Sequence, residues 1–317
     1  MKKIAAVAAI LVLVCSFAFA TGEAESSAKY TVGICQLVQH PALDAATQGF
    51  IDVLVAEFGD DIKIENQNAS GEISNISTII NGYVSKNVDL IMANATAPVT
   101  TAAAATSTIP ILGTSVTDYA TALEIDDWTG TVGTNVSGTS DLAPLDKQAE
   151  MILEIFPDCK KVALLYCSAE ANSVYQIENV GKYLAELGVE SKPYAFTDTN
   201  DVASVTQKAT EYADVIYIPT DNTAASNTEA IANIVVPAGV PVIAGEEGIC
   251  SGCGVATLSI SYYDLGTATG EMAVAILKDG ADISQMPIAY APQVTKKYNA
   301  SIASQLGVAI PEGYEAI

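Results

Sequence analysis

The sequence predicts an α/β protein of two doubly wound, parallel-sheet lobes joined by a three-strand hinge. From residue 31 onward, short apolar strands alternate with amphipathic helical stretches, the pattern of parallel sheets covered by helices. The alternation comes in two series of similar length, so one architecture is used twice. Three transition segments then carry the chain back and forth between the series.

The first series places strands near 31–36, 62–67, 88–92 and 109–113, with helices near 41–57, 72–86 and 97–106. The second places strands near 161–166, 190–196, 214–218 and 240–244, with helices near 144–156, 172–187, 201–211 and 223–236. Trp128 to Asp141, rich in Gly, Thr and Ser, is the first transition, and Gly252 to Ser261 is the second, leading into a helix near 262–279. A last crossing falls around Met286 to Pro292. The expected first lobe is therefore 31–138 plus 260–288, the second 139–259 plus 289–317, with 21–30 a disordered linker. The transitions contain β-formers, which argues against independent domains on a floppy spacer. A hinge between doubly wound lobes puts a ligand in the cleft at the strand C-termini.

Lys2 and Lys3, the apolar run Ile4 to Phe17, and Ala18, Phe19 and Ala20 make residues 1–20 an export signal. Leu11 to Cys15 also resembles a lipobox with Val14 at the small-residue position, so the exported protein is expected to be periplasmic or lipid-anchored through Cys15 to the outer face of the cytoplasmic membrane. Loss of the two lysines would take the net charge from −23 to −25, a surface that repels nucleic acid and anionic lipid. All 14 basic residues are lysine. With no arginine fork, a bound anion must be held by lysine, hydroxyls or backbone N–H groups at helix starts.

Cys35, Cys159, Cys167, Cys250 and Cys253 remain after cleavage following Ala20. Cys250 and Cys253, spaced as CxxC, fit a local disulfide, a redox centre or half a metal site; the glycines around them and the strand pattern at 255–260 favour a structural loop pair, disulfide or free. The other three read as small buried hydrophobes. A single histidine and the lack of a GxSxG elbow leave an exported thiol-redox enzyme or hydrolase without support, and no metal or other cofactor is expected.

GICQLVQHPALDAATQGF, read with VDLIMANATAPVTTAAAAT, IPILGTSVTDY, IPTDNTAAS and ATLSISYYDLG, resembles ABC-transporter substrate-binding proteins of the tryptophan and aromatic amino-acid group, which have the type I periplasmic-binding-protein fold. The resemblance runs from about residue 31 to 310. It implies capture of a small amino acid, an aromatic one, outside the membrane by hinge closure, and delivery to a cognate permease and its separate ATPase. A monomer is expected, and a sugar or nucleoside is the alternative ligand. Gln39, Tyr119 and the CxxC depart from the group's pattern; Tyr119 sits beside a presumed pocket residue.

Candidate ligand contacts follow from strand ends and helix starts. Thr96 and Ala97, and Asn172 and Ser173, offer donors to a ligand carboxylate. Asp118 and Asp221, each after an apolar strand and a threonine (Thr117, Thr220), are placed to pair with a ligand ammonium; the alternative reading as a helix cap is the stronger one for Asp118, stands level for Asp221, and applies also to Asn222 and Thr223, while the PTDNT resemblance moves Asp221 towards the ligand. His40 and Gln36 are expected to line the cleft, Glu246 to meet a polar ligand group or solvent, and Tyr262, with Tyr119, Tyr175 and Tyr263, to supply aromatic wall.

Overall fold

The computed structural model describes residues 28–291 and 293–317. The export signal, Cys15 and residues 21–27 of the expected linker lie outside the described residues.

The first lobe is built from β1 (Tyr30–Gln36), α1 (Pro41–Phe58), β2 (Ile62–Asn68), α2 (Ile73–Lys86), β3 (Leu90–Asn94), α3 (Thr96–Ala105), β4 (Ile111–Val116), α4 (Tyr119–Ala122) and β5 (Val136–Ser140). The chain crosses into the second lobe through α5 (Leu145–Ile155), β6 (Lys161–Cys167), α6 (Ala171–Glu186), β7 (Glu190–Phe196), α7 (Thr199–Thr210) and β8 (Val215–Ile218). This lobe continues with α8 (Asn222–Ala225), α9 (Thr228–Ala238), β9 (Val242–Ala244), α10 (Glu247–Cys253) and β10 (Ala256–Ser259). It returns for α11 (Tyr262–Asp279) and β11 (Ala289–Tyr290), then ends in the second lobe with β12 (Thr295–Tyr298), α12 (Ala300–Leu306) and β13 (Glu315–Ala316).

Sheet order is β11-β5-β4-β3-β1-β2 in the first lobe and β13-β12-β10-β9-β8-β6-β7 in the second. The named pairings are parallel except β10 with β12. Central strands β3 and β4 are buried along their whole length, as strands covered on both faces must be, whereas edge strand β2 leaves its polar half exposed. Helices α1 and α11 meet at small residues: a Cβ added at Gly49 would run into the Tyr263 carbonyl, and one at Gly266 into the Ala46 backbone. That close approach locks the returning helix to the helix that follows His40.

Strand pairing moves several sequence boundaries. Tyr30 already belongs to β1 rather than to a linker. Thr139 and Ser140 pair with Ala289 and Tyr290 in the first sheet, so the first and third crossings fall just after these residues, later than 138 and 288. The helix expected over 223–236 is two helices, because the Asn227 amide donates to the Thr223 carbonyl and competes with helix continuation. The CxxC lies in a helix, α10, not a loop: the Glu246 carboxylate holds the Gly248 and Ile249 amides at its start, and Asn299 holds the Cys250 and Ser251 carbonyls. Both cysteines are buried and free, not joined as a disulfide.

Candidate functional site: an acidic cavity between the lobes

The C-terminal ends of β3, β4, β6 and β8 converge on the cleft, and two of them carry unusual backbone. Ala95, just before α3, has φ of 100°, and Ser115, in β4, has φ of 55°, beside an irregularity in the β4–β5 register between Gly113 and Val116. Positive φ in a residue with a Cβ costs about 1–3 kcal/mol and survives only where surrounding structure imposes it. Here it turns Ser115 into the cleft.

The lobes touch directly. His40 Nε2 is 3.2 Å from Asn222 Oδ1, Gln176 Nε2 donates to Thr117 Oγ1 at 3.2 Å, and the Thr117 and Thr220 hydroxyls lie 3.4 Å apart. Between these contacts is a cavity of about 10 Å³ whose wall includes His40, Ser115, Asp141, Asp221, Glu246 and Tyr262. It adjoins, at Asn172 and Asn222, a wider cleft of about 560 Å³ whose apolar wall comes from Leu37, Val38, Ile73, Ala97 and Ala171.

The cavity is acidic. Burial pushes the Asp141 carboxyl up, against hydrogen bonds from Tyr262 OH at 2.8 Å and Thr117 Oγ1 at 3.1 Å. Burial raises Glu246 to about 7, against its two helix-start amides. Asp221 rises through burial and the nearby Glu170 carboxylate, opposed by donors from Cys167 N, Ser173 Oγ and Ala224 N. The lining of the cavity and of the wider cleft contains no lysine. Lys297 is paired at 2.6 Å with Glu247, the residue that follows Glu246.

His40 is held neutral, because burial lowers its pKa. Asn222 Nδ2 donates to Glu170, so its Oδ1 faces His40 and Nε2 must carry the proton. Nδ1 is then a lone-pair acceptor, and it is buried without a partner, as is Ser115 Oγ.

The expected site residues divide. His40, Asn172, Asp221, Asn222, Glu246 and Tyr262 meet at the small cavity; Thr96, Ala97, Asn172, Asn222 and Thr223 line the wider cleft. Thr117 sits between the lobes. Asp118 caps α4 through Thr121 N at 2.7 Å and borders a crevice with Thr96 and Tyr175. Asp221 is the cap of α8, and its oxygens already hold three donors. Asn172 and Ser173 donate to Thr220 O and Asp221 within their own lobe, so they are not free to hold a ligand carboxylate. Gln36 departs from the expectation most clearly: its amide is spent on Val38, Asp44 and Thr47. Tyr119 is core, donating to Thr139 O, and Tyr263 bonds Asp52 on an exposed face; neither is cleft wall. Ser115, Asp141 and Glu170 were not anticipated. Glu170 accepts the amides of Asn222 and Thr223, 52 and 53 residues away, which no local pattern reveals.

A family model described as ABC transporter substrate binding protein matches residues 31–315. A tyrosine-binding protein of Clostridioides difficile (strain R20291) is 34% identical over 267 residues, 83% of this chain and 77% of that protein. A Streptococcus pneumonia ABC domain solved in complex with L-Trp is 31% identical, with a TM-score of 0.87 over 92% of this chain and 100% of that one. The ligand-free, open structure of a Clostridium difficile substrate-binding protein with adhesive properties is 35% identical over 91% and 99% of the two chains, yet its TM-score is 0.69. In this chain, by contrast with a structure described as open, the lobes are joined by hydrogen bonds across the cleft. Two lobes closed over a buried acidic cavity, and a match along nearly all the described chain, make this protein a member of the ABC transporter substrate-binding protein family.

Proposed function

We propose that this chain captures an aromatic amino acid, tyrosine or tryptophan, outside the cytoplasmic membrane and presents it to a cognate permease with a separate ATPase. It acts as a monomer and without covalent chemistry. The ligand ammonium enters the cavity bounded by Asp141, Asp221 and Glu246, and its side chain occupies the wider cleft against Leu37, Val38 and Ile73. Its carboxylate lies at the start of α3, where Pro98 has no N–H and no side chain caps the amides of Thr96 and Ala97. The observation that carries this reading is the closed inter-lobe cavity walled by acceptors with no lysine beside them.

The test is thermal denaturation with an amino-acid panel, sugars and nucleosides included. Tyrosine or tryptophan at a hundred times its Kd should stabilise the protein by about 2.7 kcal/mol. No shift with any amino acid at millimolar concentration, or a shift with sugars alone, overturns the proposal.

A further inference from the structure

The small cavity and the wider cleft offer different chemistry to the two ends of a ligand. Its small cavity, about 10 Å³, holds one water-sized group, which an ammonium is and a carboxylate is not. Two polar atoms there lack partners, His40 Nδ1 and Ser115 Oγ, in residues only 6% exposed, and the tautomer of His40 makes its free nitrogen an acceptor. An ammonium brings three donors and no acceptor, the complement of this wall. In the proposed pose the carboxylate end lies at the uncapped start of α3, in the wider, more open cleft.

Building on the proposed function, we infer that the ammonium is the obligatory recognition element and the carboxylate is dispensable, so that primary aromatic amines lacking a carboxylate are ligands of the same site. A helix start contributes at most about a thirtyfold factor in affinity to a bound anion. Removing one partner of a desolvated, hydrogen-bonded charge pair costs about a hundredfold or more. The acidic cleft further lowers the penalty of deleting the ligand's negative charge, since Glu170 and Asp198 line it and no lysine does.

Isothermal titration of the mature protein at neutral pH with L-tyrosine, tyramine and 3-(4-hydroxyphenyl)propionate, and with L-tryptophan, tryptamine and indole-3-propionate, reads this directly. The amine of the better series should bind within about thirtyfold of its amino acid, and the deaminated acid at least about a hundredfold more weakly. Binding of the amino acid with no detectable binding of its amine overturns the inference and leaves the proposed function standing. Equal binding of the amine and the deaminated acid overturns it as well. Binding of an amine without its amino acid supports the inference and corrects the proposed ligand; silence of all six overturns both. Ser115→Ala should weaken the amine and the amino acid by the same factor, and a loss confined to the amino acid would contradict the assigned ammonium contact.

Discussion

His40 Nε2 and Asn222 Oδ1, 182 residues apart in sequence, meet at 3.2 Å across the cleft. The bond exists only when the lobes are closed, and Glu170 orients Asn222 to make it. A hydrogen bond of this kind contributes about 0.5–1.5 kcal/mol. His40→Ala should therefore shift the ligand-free protein toward the open form, visible as a larger radius of gyration in small-angle scattering. It should also weaken ligand about tenfold or more, since the Nδ1 acceptor goes too. An unchanged scattering profile with unchanged affinity would exclude this latch.

The buried carboxyls make ligand-free stability depend on pH in an unusual direction. An unfolded Glu releases its proton near its ordinary value, 4.5, while native Glu246 keeps it up to about 7. Between those values the native state binds more protons than the unfolded one, so stability falls as pH rises. Asp141 and Asp221, both raised by burial, act in the same sense. From pH 5 to 8 the ligand-free protein should lose a few kcal/mol of unfolding free energy, and Glu246→Gln should flatten part of that slope. Saturating ligand should reduce the slope as well, because its ammonium takes the place of the protons. Chemical denaturation at pH 5, 6, 7 and 8, with and without ligand, measures all three; a ligand-free stability that rises over this range would refute the argument.

Apolar runs alternating with amphipathic stretches made most elements legible, because strands such as Leu90–Asn94 and Ile111–Val116 are buried on both faces and so begin with apolar residues. The site was legible only where a local signal exists. His40 before Pro41 and Asp221 before Asn222 sit at strand-to-helix turns, and both reach the cavity. Glu170 and Asp141 escaped notice because what makes them matter is distant: Glu170 serves amides beyond residue 220, and Asp141 takes its hydroxyl donors from Thr117 and Tyr262. The CxxC misled for the opposite reason. Its glycines suggested a loop, whereas capping by Glu246 and Asn299 holds a helix together there.

The five thiols among the described residues should be inert in the native protein. Burial pushes Cys35 to about 12 and Cys159 and Cys167 to about 11, and raises Cys250 and Cys253 as well. Since the thiolate is the reactive form, a chromogenic disulfide reagent at pH 8 should label none of them until denaturant is added, and then all five. The paired variant Cys250→Ala, Cys253→Ala should lose roughly 1–2 kcal/mol of stability through small cavities while keeping ligand affinity within about threefold. Rapid native labelling of the pair, or loss of binding without unfolding, would reopen a redox role for α10.

Ser115 sets stability against binding. Its φ of 55° is a conformation glycine adopts freely, and its hydroxyl has no protein partner in a buried place. Ser115→Gly removes both the backbone strain and an unsatisfied polar group, so the ligand-free protein should gain about 1 kcal/mol. The same change deletes an oxygen assigned to the ligand ammonium, and affinity should fall about tenfold. A strain kept only for packing would predict the gain without the loss. Thermal denaturation and calorimetric titration on the one variant distinguish these cases: opposite signs identify Ser115 as a ligand contact, because a residue that weakens its own fold by adopting this backbone must be repaid when the cleft is filled.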